Sequence, residues 1–204
     1  GDRLRRPLSQ LLFFALLAAF VGASGITGVA PPGTRFDHVL KAAIVVALVG
    51  GGAAALAPSG PRLYPVAQAA SLLLLLAPTL SGHALDRSQP RVLAALADVA
   101  HLAAAAVWLG GLLTLVYVVP RASGDEPTRI AVARRFSTIA LAAVLLIGAT
   151  GIARSLTELS AVHQLWSTSY GRALIAKTVL FVPLFGVGWL NRTLLLGGFA
   201  RLRR

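Results

Sequence analysis

Six apolar runs, each about as long as a bilayer core is thick, alternate with short polar breaks along the chain. A hydrocarbon layer of ~30 Å takes about 20 residues of helix. The runs at 8–29, 39–56, 63–85, 92–119, 136–156 and 173–196 meet that length. The breaks between them, PPGTRFD, APSGPR, DRSQPR and PRASGDEPTR, are rich in proline, glycine and charge. Within the runs hydrophobicity continues around the whole helix, and no period-two alternation marks a strand. The pattern predicts an all-α polytopic bundle of about six transmembrane helices, forming a single domain over 1–204. The first run, with its basic flank and the small residues of VGASG, has features of a signal peptide. Its length favours a retained helix.

Composition sharpens this picture. Of 204 residues, 56% are hydrophobic and 13% charged, with a mean hydropathy of +0.77. Soluble domains carry about 25% charged residues, so lipid is the expected surrounding. A net charge of +12 would suggest nucleic acid in a soluble chain. Here the arginines sit beside the ends of apolar runs and form no continuous basic surface, so the charge is read as topology and no nucleic-acid partner is expected. Cysteine and methionine are both absent, which excludes disulfides, thiolate metal sites and thiol nucleophiles. The chain opens GDRLRRPL without an initiator methionine, and a processed or longer parent is expected.

Basic residues also set the orientation. Twelve of the 19 fall on one side, among them Arg3, Arg5, Arg6, Arg62, Arg121, Arg129, Arg134, Arg135 and Arg192. The other seven, including Arg35, Arg87, Arg91 and Arg154, fall on the opposite side. The bias places both termini in the cytoplasm. The polar stretch TELSAVHQLWSTSYGR, before the last helix, is expected to hold a short interfacial helix with Trp166 and Tyr170 at headgroup level.

Polar residues inside the runs carry the candidate chemistry. In DVAHLAAAAVWLGG, His101 stands on the order of 13 Å into the fourth run, near the middle of the hydrocarbon, with Asp98 one turn away on nearly the same face. An ionisable residue at such depth costs about 2.5 to 3.5 kcal/mol on insertion scales, so it faces the bundle interior and has a partner. Three roles suit the pair: a proton relay, a haem axial ligand with its supporting carboxylate, or a metal ligand. A buried hydrogen-bonded pair that only fixes packing is the plain alternative. His83 lies near the same end of the third run, and the short DRSQPR hairpin should set it facing Asp98. His38 follows Asp37, a plausible N-cap, at the start of the second helix. His163 reads as a solvated loop residue.

Other residues read as packing or anchoring. Trp108 lies on much the same face as His101, either closing the floor of a polar pocket or in plain core. Gly110 and Gly111 allow close helix approach. Arg154 and Glu158 are spaced for an ion pair along one helix, Lys177 is placed to snorkel, and Pro183 predicts a kink. No Gly-x-Ser-x-Gly, phosphate loop, His-Glu-x-x-His or Cys-x-x-Cys occurs, and seven acids leave little material for hydrolysis. The chain is not expected to be an enzyme.

SGHALD at 81–86, DVAHLAAAAVWLGGLL at 98–113, RRFSTIAL at 134–141, and WSTSYGRALIAK at 166–177 followed by LNR at 190–192 resemble, in order and spacing, the CopD copper-resistance membrane proteins. The resemblance covers roughly 80–192. It implies a bacterial inner-membrane protein of copper homeostasis that passes copper across or into the membrane, working with a periplasmic CopC-like protein or domain. Carried to this sequence, the candidate metal residues are His83, Asp98 and His101, with His38 outside the strongest match. Copper would enter from the outer face and move inward past Trp108. The absence of methionine departs from soft Cu(I) ligation and leaves the oxidation state open. Haem b on His101, and a structural or assembly subunit without a site, are the rival readings.

Overall fold

The computed structural model describes residues 2–27, 30–81, 91–122, 125–159, 161–190 and 192–193. Every regular element among them is helical. The order is α1 (Asp2–Ile26), α2 (Arg35–Leu56), a 3-10 turn (Pro61–Leu63), α3 (Tyr64–Ser81), α4 (Arg91–Leu113), a π-helical segment (Thr114–Val118), α5 (Val119–Ala122), α6 (Glu126–Glu158), α7 (Gln164–Ser167) and α8 (Ser169–Leu190). Six spans are long and apolar enough to cross a membrane: α1, α2, α3, the continuous stretch from α4 through α5, α6 and α8. The predicted bundle is the one observed, and the predicted short helix before the last span is α7. Its Trp166 is exposed, as is Tyr170 at the start of α8.

Helix starts follow local chemistry. At α2 the turn PPG places Gly33 at φ 75°, a conformation that glycine reaches without strain. Thr34 is the N-cap: its hydroxyl accepts the Asp37 N–H at 3.2 Å. This corrects the expectation that Asp37 caps the helix. Asp37 reaches back instead to accept the Gly33 N–H at 3.0 Å, and its carboxylate pairs with Lys41 at 2.8 Å. At α6 Asp125 is the N-cap, accepting both the backbone N–H and the hydroxyl of Thr128. The Thr128 hydroxyl, and then its N–H, hold the Asp125 carboxyl below the ordinary range. This cap therefore persists at neutral pH and weakens as pH falls through the lowered value.

Packing divides the bundle. Helices α1, α2 and α3 form one cluster around Leu16, Ala53, Ala54, Ala67 and Ala70. Small side chains let these helices approach closely, as membrane helices need in the absence of a hydrophobic drive between them. A Cβ on Gly50 would stand 2.4 Å from the Ala70 Cβ and 3.3 Å from Leu16. The alanine Cβ cannot move without its backbone. Gly50→Ala should thus lower stability by about 1 to 3 kcal/mol, read from thermal unfolding in detergent. An unchanged midpoint would contradict the close contact. Gly52, with open space around it, is the matched control.

Helix α4 packs chiefly on α6. Of the two glycines expected to bring helices together, only Gly111 does so: a Cβ there would overlap the Phe136 ring, whereas Gly110 meets nothing within 4 Å. Helix α8 packs on α7 through Gly171, whose Cβ position is occupied by the Gln164 and Leu165 backbone. It runs unbroken through Pro183 and exposes most of its length. Large side chains elsewhere point outward too, Leu156 at 77% and Val116 at 72% exposure. Surfaces this apolar belong in lipid.

Helix ends converge as the arginine count implies. The Tyr64 hydroxyl donates to the Arg5 carbonyl, the Tyr117 hydroxyl to Gln10 at 2.8 Å, and the Arg129 guanidinium to the Pro120 carbonyl at 3.3 Å. The starts of α1, α3 and α6 and the end of α5 thus share one arginine-rich end. The start of α4 and the ends of α3 and α6 share the other.

Candidate metal site between the fourth and sixth helices

Alanine and leucine fill α4 around Asp98 and His101, so the helix forms on propensity and both polar side chains must find partners on a neighbour. The neighbour is α6. Asp98 is buried, 6% exposed, and its carboxylate forms an ion pair with Arg154. The His101 Nδ1 lies 2.9 Å from the Thr150 hydroxyl, and Thr150 is itself 9% exposed. The register explains both contacts. Asp98 and His101 are three apart on α4, Thr150 and Arg154 are four apart on the antiparallel α6, and each pair makes one turn of stripe.

The threonine decides the state of the imidazole. Its single hydroxyl proton points to its own helix, 2.6 Å from the Leu146 carbonyl and 3.2 Å from that of Ile147. What it offers His101 is a lone pair, so Nδ1 carries the ring proton and donates. In the neutral form of that tautomer the free lone pair is on Nε2. Gly151 makes room: a Cβ there would already touch the imidazole Cε1 at 3.7 Å. An oriented, neutral imidazole whose other nitrogen is anchored is the arrangement found behind metal-binding histidines.

Asp98 engages α6, where Arg154 supplies the opposite charge that its depth demands. Arg154 meets Asp98 across the helix interface; the side chain of Glu158, its expected partner, lies outside the described residues. His83 also lies outside them. His38 is exposed at the start of α2, which packs chiefly on α1 and α3, and His163 is exposed beside α7. Among the described residues no three His, Asp or Glu side chains converge. Thr79, four positions before His83 and in the same half of the bundle, is buried with its hydroxyl unpaired. Trp108 belongs to an apolar cavity between α4, α6 and α8, so it forms no floor to a polar pocket.

Thr150, and Arg154 as the partner of Asp98, escaped sequence reasoning. Their signal was available: GATGIARS sets a hydroxyl and a charge one turn apart in a helix otherwise filled with Ala, Val, Leu and Ile.

Residues 130–204 match the family model of copper resistance protein D. This part of the chain is similar to the CopD family. Over 117 residues, 56% of this chain, it is 34% identical to the copper transport protein CutJ of Bacillus subtilis strain 168. The chain spans about a fifth of that curated relative's length (21%). No solved structure matches it. The CopD match begins inside α6 and takes in α7 and α8, so Thr150 and Arg154 lie within the CopD segment. Asp98 and His101 precede it.

Proposed function

We propose that this multi-pass membrane protein binds copper at His101 and takes part in moving it across the bacterial inner membrane, with both termini in the cytoplasm. One observation carries the reading: inside an apolar span, the His101 Nδ1 lies 2.9 Å from the Thr150 hydroxyl, whose own proton is taken by the Leu146 carbonyl, an arrangement that favours the tautomer with its lone pair on Nε2. The CopD segment and the likeness to a copper transport protein supply the metal. Imidazole suits copper in either oxidation state. His83 is the proposed second ligand, with His38 as an entry-side ligand. A periplasmic CopC-like protein is the proposed donor.

Asp98 takes a different role from a simple ligand. With Arg154 on it, the carboxylate is neutralised while the site is empty. Arrival of a cation beside His101 favours the carboxylate and repels the guanidinium, so Arg154 acts as a counter-charge that yields to the metal. Transfer then consists of a cation replacing a cation beside the carboxylate, which leaves no net charge with Cu(I) and one positive charge with Cu(II).

The test is metal content. The full chain, purified in detergent and supplied with Cu(I) or Cu(II), should retain about one copper by mass spectrometry and show no Soret band. A Soret band would shift the assignment to haem on His101. Neither copper nor haem would reduce the cluster to a packing device.

A further inference from the structure

A cavity of about 280 Å³ lies between α4, α6 and α8. Trp108, Phe136, Phe181, Phe185 and Trp189 line it, and Phe185 stacks on Trp189 with ring centroids 6.4 Å apart. Its lining is apolar apart from one end, where the Arg192 guanidinium donates to the Ser137 hydroxyl at 3.2 Å. Lining and charge decide what fits. The aromatic and aliphatic lining suits an apolar group, and the cation at one end suits an acidic one. A hydrocarbon chain fits it. Arg192 uses one of its five N–H groups on Ser137 and has others to offer, in a geometry suited to an acidic oxygen pair. Arg134 stands one turn from Ser137 on α6, and Arg135 is exposed beside it. Opposing acids are distant: Asp125 and Glu126, at the α6 start, stand about three helical turns from Ser137.

The geometry points to a binding site for an anionic phospholipid, one acyl chain in the aromatic cavity and the acidic headgroup on Arg192. The site is separate from the His101 cluster and stands whether or not that cluster binds copper. It lies on the arginine-rich end of the bundle, where basic residues between membrane helices hold acidic headgroups. Filled, it joins α8 to α4 and α6 along a seam where protein side chains leave a gap.

Native mass spectrometry of the full chain in detergent tests this with dioleoyl phosphatidylglycerol and dioleoyl phosphatidylcholine, which share acyl chains and differ in charge. The wild type should retain the acidic lipid about fivefold more strongly. Arg192→Gln should abolish that preference while leaving weak retention of both. Gly188→Phe, which fills cavity space at a position with nothing within 4 Å, should release both. Thermal unfolding in detergent should show each variant folded; if Gly188→Phe is not, Gly188→Leu replaces it. Equal retention of the two lipids by the wild type, or an unchanged preference in Arg192→Gln, overturns the proposal. So does crosslinking of the cavity, through Trp189→Cys, to a second copy of the chain.

Discussion

Arg154→Ala is expected to cost more stability than Asp98→Asn, although the two substitutions break the same ion pair. The reason lies in where each partner is left. The Asp98 side chain is 9% exposed and that of Arg154 is 41% exposed. Without Arg154, the carboxylate is left among apolar helices without its counter-charge, which is costly. Removal of one partner from a buried pair costs about 3 to 5 kcal/mol. Without the carboxylate, the guanidinium can extend toward the membrane surface along its own stem, so Asp98→Asn should cost about 1 kcal/mol. Asp98→Leu with Arg154→Leu removes both charges and should restore most of the stability, since an apolar pair pays no desolvation. Chemical unfolding in detergent reads all three. Equal losses for the two single variants would show that both charges are equally hydrated, and the buried pair would have to be given up.

The bundle was legible because lipid imposes a simple rule on sequence. Backbone polar groups must be satisfied within each span, so runs of about 20 apolar residues can only be helices. That rule yields six spans and their breaks. It does not yield which spans touch. The hairpin DRSQPR suggested that α3 and α4 share their polar faces, because sequential helices are usually neighbours. Asp98 needs a cation, and Arg154 is carried one turn from Thr150 on α6, 56 positions further along the chain. A buried carboxylate in one span and a cation in another, at matching distance from the same bundle end, is a pairing signal that sequence alone does contain. The capping of α2 failed for a smaller reason. Both Thr34 and Asp37 are cap formers, and a residue three positions into the helix can reach back to the turn before it.

His101 and Thr150 should separate ligation from orientation. His101→Ala removes the proposed ligand and should abolish stoichiometric copper in the purified chain. Its unfolding midpoint should shift little, because His101 is only half-buried. Thr150→Val is nearly isosteric yet removes the acceptor for the Nδ1 proton. The ring is then free to rotate and to place its proton on either nitrogen, so the lone pair on Nε2 is no longer guaranteed. Partners of this kind are worth about 10- to 100-fold in metal affinity. Copper titration should show a loss of that size, intermediate between wild type and His101→Ala. Thr150→Ser keeps the hydroxyl and should recover most of the affinity, a rescue that a purely structural threonine would not produce. If Thr150→Val binds copper as tightly as wild type while His101→Ala does not, the imidazole ligates without the threonine and the tautomer argument falls. If all three variants retain copper, the metal is held elsewhere in the chain, and the contact between α4 and α6 serves only to fasten the two helices together.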